Sequence, residues 1–176
     1  MRFSSGDTIF ALSSGAGKAG VAVVRVSGPE SRPALEMLVG SVPEPRMASL
    51  RSIRDRNGEI IDNGLVLWMP GPASFTGEDS AEFQVHGGRA VVSGLVEVLG
   101  GLDGLRPADA GEFARRAFMN GKLDLTEVEG LADLIDAETV GQRRQALRQM
   151  EGAAGQIVED FRARLIGILA LSEVGM

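Results

Sequence analysis

The sequence predicts an α+β fold that gives way to helices: a sheet-containing domain over residues 1–120, then the opening of an all-helical domain over residues 121–176. Three observations predict it. Short β-branched or alternating runs recur up to Gly88, separated by glycine, proline and Asn-Gly turn signals. Apolar positions at helical spacing are interleaved with those runs. After Asn120-Gly121 no strand signal returns, and the apolar positions keep helical spacing to the end of the chain.

Residues 7–13 (DTIFALS) and 21–26 (VAVVRV) read as two strands joined by the loop SGAGKAG, with Arg25 on the same face as Val21 and Val23. Ser27-Gly28-Pro29 is a turn, and 30–39 carries helical spacing through Ala34, Leu35 and Leu38. Asn57-Gly58 predicts a hairpin between strands near 50–55 and 59–62, with a further strand over 64–69. A loop with two prolines and two glycines (70–79) precedes 80–86, which alternates: Phe83 and Val85 on one face, Glu82, Gln84 and His86 on the other. Gly87-Gly88 ends that strand, 89–99 predicts a largely buried helix, and 111–118 a further helix. Long helices are expected over about 126–150 and 156–172, the second with a wide apolar stripe that includes Ile157, Phe161, Leu165, Ile168 and Leu169. Thr126-Glu127-Val128-Glu129 reads as a capping box opening the first of them. A helix pair of this kind needs partners to bury both stripes, so a larger assembly is expected.

Composition narrows the chemistry. The chain has no cysteine and a single histidine, His86, so disulfides, thiolate nucleophiles and a histidine-cluster zinc site are excluded. No apolar stretch approaches the roughly 20 residues of a membrane span, and a cytoplasmic address is the simplest expectation. The formal charge of -6 argues against a general nucleic-acid clamp. The acidity is concentrated: residues 103–138 hold nine Asp/Glu against four Lys/Arg. Arg143, Arg144 and Arg148 form a small basic cluster that reads as a solvated helix face.

Two glycine motifs fail on context. Gly15–Gly20 matches GxGxxG, yet a dinucleotide site needs a helix after the loop, and VAVVRV follows it. Gly17-Lys18 is followed by Ala19 and Gly121-Lys122 by Leu123, so neither supplies the Ser/Thr of a phosphate-binding P-loop. The residues that resist a scaffold explanation are different ones. Arg25 interrupts an apolar strand and must reach an anion or snorkel to water. Glu82 is a strand carboxylate suited to accept from a planar N–H edge, and Lys122 is a flexible cation at the domain junction. Two cations and a carboxylate suit a ligand with an anionic tail and an amidine-like ring edge. His86, beside Gly87-Gly88, reads as a turn or core residue, not a catalyst.

The segments DTIFALSSGAGKAGVAVVRVSGP (7–29), SFTGEDSAEFQVHGG (74–88) and GEFARRAFMNGKLDLTEVEGLADLIDAET (111–139) resemble the N-terminal part of the tRNA-modification GTPase family MnmE (TrmE), in that family's order and spacing. The resemblance implies a first domain similar to the tetrahydrofolate-binding domain of glycine-cleavage aminomethyltransferase. That domain would bind a 5-formyl-tetrahydrofolate-type cofactor and form a homodimer. It also implies a helical domain carrying an inserted GTPase domain, which would bind GTP with Mg and K, and a C-terminal cysteine. With a flavoprotein partner of the MnmG type, such proteins build a (carboxymethyl)aminomethyl group on the wobble uridine of tRNA. The family's folate contacts fall on Arg25, Glu82 and Lys122; no catalytic residue and no metal ligand is expected within this stretch, and the chain alone is expected to be inactive as a GTPase. The family's Pro-Pro-Gly-Arg-Gly-Gly type loop is replaced by Ser14–Gly20, which loses proline stiffness. That change favours a rival expectation: a truncated, non-catalytic dimerisation module that no longer binds folate.

Overall fold

The computed structural model describes residues 6–152 and 161–169. The chain divides into two compact units, Met1–Lys122 and Leu123–Met176. The first is an α+β unit. In chain order it comprises β1 (Thr8–Leu12), β2 (Ala19–Ser27), α1 (Ser31–Val39), β3 (Ser49–Arg54), β4 (Ile60–Met69), β5 (Ser80–Gly87), α2 (Arg89–Gly100), β6 (Leu105–Pro107) and α3 (Glu112–Met119).

The six strands form one mixed sheet in the order β3-β4-β5-β2-β1-β6. Every neighbouring pair is antiparallel except β1 with β6, which run parallel. Period-two alternation sorts the side chains. Val24, Val26, Phe83 and Val85 face Leu35 and Leu38 of α1 and Leu95 and Leu99 of α2, forming an apolar core in this unit. Residues between them, Val23, Arg25, Glu82 and Gln84, therefore lie on the other face of the sheet.

In this unit two expectations need correction, and one strand was not anticipated. The strands anticipated at 59–62 and 64–69 are one strand, β4, which runs through Gly64. A Cβ at Gly64 would collide with the carbonyl oxygen of Gln84 on β5, so glycine here serves close strand approach and not a break. The helix α2 is amphipathic, not largely buried: only Leu95 and Leu99 are buried, because one side packs on the sheet and the other faces outward. The short strand β6 has no sequence signal of its own; it is three residues long, includes Pro107, and occupies the sheet edge where a missing N–H is tolerated.

The second unit contains α4 (Leu125–Ile135) and α5 (Val140–Met150), and residues 161–169 are also helical. The remainder of the helix expected over 156–172 lies outside the described residues. A continuous helix over 126–150 was the sequence expectation, but it is interrupted after Ile135. Thr139 restarts it as an N-cap, accepting from the backbone N–H of Gln142 at 3.2 Å while the Gln142 amide oxygen accepts from the backbone N–H of Thr139 at 2.8 Å. The capping box of α4 also sits two residues earlier than expected. Asp124, not Thr126, is the N-cap: it accepts from the backbone N–H of Glu127 at 2.8 Å, and Glu127 accepts from the backbone N–H of Asp124 at 2.7 Å. A charged oxygen suits the positive end of the helix better than a hydroxyl. Thr126 instead donates its hydroxyl to Asp124 at 2.7 Å.

Candidate functional site

Arg25 on β2 and Glu82 on β5 are direct cross-strand partners. Arg25 Nε donates to Glu82 Oε1 at 2.9 Å, and Nη2 lies 2.8 Å from the same oxygen. The pair is half-buried, with side-chain exposures of 28% and 16%. This arrangement leaves Oε2 of Glu82 without a hydrogen bond from any described residue, and Nη1 of Arg25 likewise without an acceptor. The guanidinium also lies 5.4 Å from the ring centre of Phe75 and 5.7 Å from that of Phe113, within cation–π reach of both. The sequence expectation that Arg25 needs an anion is met inside the protein by Glu82, a pairing that comes from the β2–β5 register and that the sequence reading did not anticipate.

Phe75 belongs to the loop between β4 and β5, and Phe113 to α3. That loop is held from both sides. From β2, Ser27 Oγ lies 2.7 Å from Thr76 Oγ1 and donates to Glu78 Oε2 at 2.8 Å. From α3, Arg116 Nη1 donates to both oxygens of Glu78 at 3.2 Å, and from the helix's C-cap Asn120 Nδ2 donates to the Thr76 carbonyl at 2.7 Å. Lys122 stands at the end of the first unit as an exposed residue. Its stem runs against Gly77, whose missing Cβ would lie 3.2 Å from Lys122 Cγ. Arg25 and Glu82 are therefore brought into contact, while Lys122 makes no hydrogen bond or ion pair with either among the described residues and meets the same covering loop.

Joined to the same loop through Arg116 and Glu78 is an ion cluster that sequence reasoning missed. Arg106 on β6 grips Glu112 with both terminal nitrogens, at 2.8 and 2.6 Å, and donates Nε to Asp7 at 2.6 Å. Arg116 donates to Asp7 Oδ1 at 2.7 Å and to Glu112 at 3.3 Å. Glu112 is only 2% exposed. The Arg106 hydrogen bonds, chiefly, hold its pKa down at about 2 against the opposing effect of burial. Burial works against the Asp7 carboxylate too, but the hydrogen bonds from Arg106 and Arg116 outweigh it and lower its pKa. Glu112 and Arg116 are four residues apart on one helix, a spacing legible in the sequence as a pair; the involvement of Asp7 and Arg106 comes only from the β1–β6 edge.

Other expected features settle as follows. His86 is not a core residue: its side chain is 71% exposed, with Nδ1 at 2.9 Å from Asp62 Oδ1. The expected Ser14–Gly20 loop is shorter in the structure, because Ala19 and Gly20 already belong to β2; residues 13–18 connect the antiparallel β1 and β2, as the failed dinucleotide motif implied. Its residues Gly15–Lys18 border a cavity of about 340 Å³ that also touches Leu12, Ala22, Arg89 and Val92, on the helix side of the sheet and so opposite Arg25. Among the described residues no cluster of metal-ligating side chains occurs, and no helix is long and apolar enough to cross a membrane.

Comparison with known families matches residues 8–122 to the model described as GTP-binding protein TrmE N-terminus, and residues 125–176 to the MnmE helical domain. The chain belongs to the MnmE (TrmE) family. Similar MnmE-family proteins include the tRNA modification GTPase MnmE of Granulibacter bethesdensis, 57% identical over 96% of this chain and 38% of the relative. The mitochondrial 5-taurinomethyluridine-tRNA synthase subunit GTPB3 of Danio rerio is 66% identical over 93% of this chain and 33% of its own length. The human protein of the same name is 61% identical over 94% of this chain and 34% of its own. The chain thus spans little more than a third of the MnmE relatives it matches, and the match covers both structural units.

Proposed function

We propose that this chain is the folate-binding and dimer-forming part of an MnmE-type tRNA modification protein, and that Arg25, Glu82 and Lys122 hold a 5-formyl-tetrahydrofolate-type cofactor. The observation that carries the reading is the half-satisfied Arg25–Glu82 pair. Arg25 engages only one oxygen of Glu82, so the other remains an acceptor, beside a guanidinium that lies against two aromatic rings. A pterin offers a 2-amino group and an N3–H side by side, an edge of the kind a carboxylate accepts in a charge-assisted manner. The phenylalanine rings offer apolar faces to a planar ring system. Lys122, exposed and flexible, suits the formyl oxygen or a glutamate carboxylate of the same molecule. When bound, such a cofactor supplies a one-carbon unit; the residues of this chain bind and orient it.

Activity belongs, on this reading, to the complete protein: GTP binding with Mg and K in a GTPase domain, a homodimer, a flavoprotein partner of the MnmG type, and tRNA with its wobble uridine as substrate. The cytoplasmic address expected from the sequence stays part of the proposal, and a mitochondrial one stands beside it, since two relatives carry that word in their names.

Replacing Glu82 with Gln tests the reading. Glu82→Gln removes the charge while keeping size, and titration calorimetry with 5-formyl-tetrahydrofolate should show affinity falling roughly tenfold or more. Unchanged affinity removes Glu82 from the site. Absence of binding by the unsubstituted chain, with an intact dimer by light scattering, would favour the rival module that dimerises without folate.

A further inference from the structure

We infer that Asn120 is a positioning residue for the Arg25–Glu82 site, acting through the loop between β4 and β5. The inference rests on the folate-binding reading above and names a residue outside the three contacts.

The geometry concentrates on one peptide. Asn120 donates to the carbonyl of Thr76, and so holds the plane of the Thr76–Gly77 peptide. Thr76 is fully buried, and its hydroxyl is already engaged by Ser27 of β2, two residues beyond Arg25. Phe75, the next residue back along the chain, lies over the Arg25 guanidinium and is 37% exposed. Gly77, the next residue forward, has φ +81°, and its open side is filled by Asn120 Cβ and the Lys122 stem. One side-chain hydrogen bond therefore registers Phe75 against Arg25 on one side and supports Lys122 on the other. Arg116 grips the same loop at Glu78, but it also belongs to the buried ion cluster and would report on folding when altered. Asn120 is exposed and makes this one side-chain bond, so its removal isolates positioning from stability. A carbonyl freed here turns to water, and Phe75 loses its register without any ligand contact having been deleted.

The experiment uses the 176-residue chain carrying 4-fluorophenylalanine at position 75, in unsubstituted form and as Asn120→Ala and Asn120→Asp, the second keeping the side-chain shape but losing the donor. Affinity for 5-formyl-tetrahydrofolate is titrated, and the fluorine resonance is recorded without ligand. Both variants are expected to bind roughly five- to tenfold more weakly, with a shifted or broadened fluorine line and a thermal midpoint close to that of the unsubstituted chain. Unchanged affinity together with an unmoved line overturns the inference. Weaker binding with an unmoved line also overturns it, because Asn120 would then act by touching ligand. If the unsubstituted chain binds no folate, the folate reading fails by itself, and the ligand-free fluorine line still decides whether Asn120 holds the loop.

Discussion

At the scale of single residues, the buried carboxylate Glu112 illustrates how charge is accommodated in this fold. An ionised group that is 2% exposed is tolerable only with its full set of donors, and Arg106, Arg116 and the backbone N–H of Asp109 provide them. Glu112→Gln keeps the shape and removes the charge, leaving Arg106 with Asp7 alone and Arg116 with Asp7 and Glu78. Denaturant unfolding should show a loss of about 3 kcal/mol, the scale for breaking one partner out of a buried pair. A loss below about 1 kcal/mol would mean that the arginines find water instead. The candidate site was more legible than this cluster. Arg25 stands out in sequence because it breaks an apolar strand, Glu82 sits on the polar face of an alternating one, and alternation puts each on the face opposite the core. Asp7 and Arg106 look like ordinary surface charges until a three-residue edge strand with no signal brings them together.

At the scale of elements, the strands and most helices follow from alternation and glycine-proline punctuation, while the errors fall where two local rules compete. Thr126-x-x-Glu129 satisfies the capping-box pattern, but Asp124-x-x-Glu127 does so as well, and the carboxylate wins at the positive helix end. The pKa of Asp124 is lowered, first by the backbone N–H of Glu127, as an N-cap requires. The same rule, applied to Thr139-x-x-Gln142, locates the interruption between α4 and α5, which apolar periodicity alone runs straight through. Gly130 explains how the two helices then meet: a Cβ there would lie 2.9 Å from the backbone nitrogen of Met150. The caps are separable by experiment. Asp124→Ala should lower the midpoint of helical unfolding by several degrees in circular dichroism, whereas Thr126→Ala, which loses only its bond to Asp124, should move it less than half as far. The reverse ranking would restore Thr126 as the cap.

At the scale of the whole molecule, the carboxylates of the first unit act together on its response to acid. Glu112 falls from 4.5 to about 2, and Asp7 and Asp62 are also lowered. For Asp62 burial again opposes, and hydrogen bonds from the backbone and ring of His86 prevail. A carboxylate with a depressed folded pKa binds fewer protons folded than unfolded, so its contribution is fully present above the unfolded value and is lost as pH falls through the folded one. For Glu112 that window runs from 4.5 down to about 2, and the contribution at neutral pH is on the order of 3 kcal/mol. The chain has one tryptophan, Trp68, buried at 4% exposure in β4. Its fluorescence reports on the sheet unit alone. Denaturant midpoints followed through Trp68 should hold steady from neutrality to about pH 5 and then decline steeply. Glu112→Gln should start lower and decline less steeply across the same window, because one of the proton-linked groups is gone. Parallel acid limbs for the two proteins would show that Glu112 titrates normally, and the buried ion cluster would then have to be held by neutral contacts instead of charge.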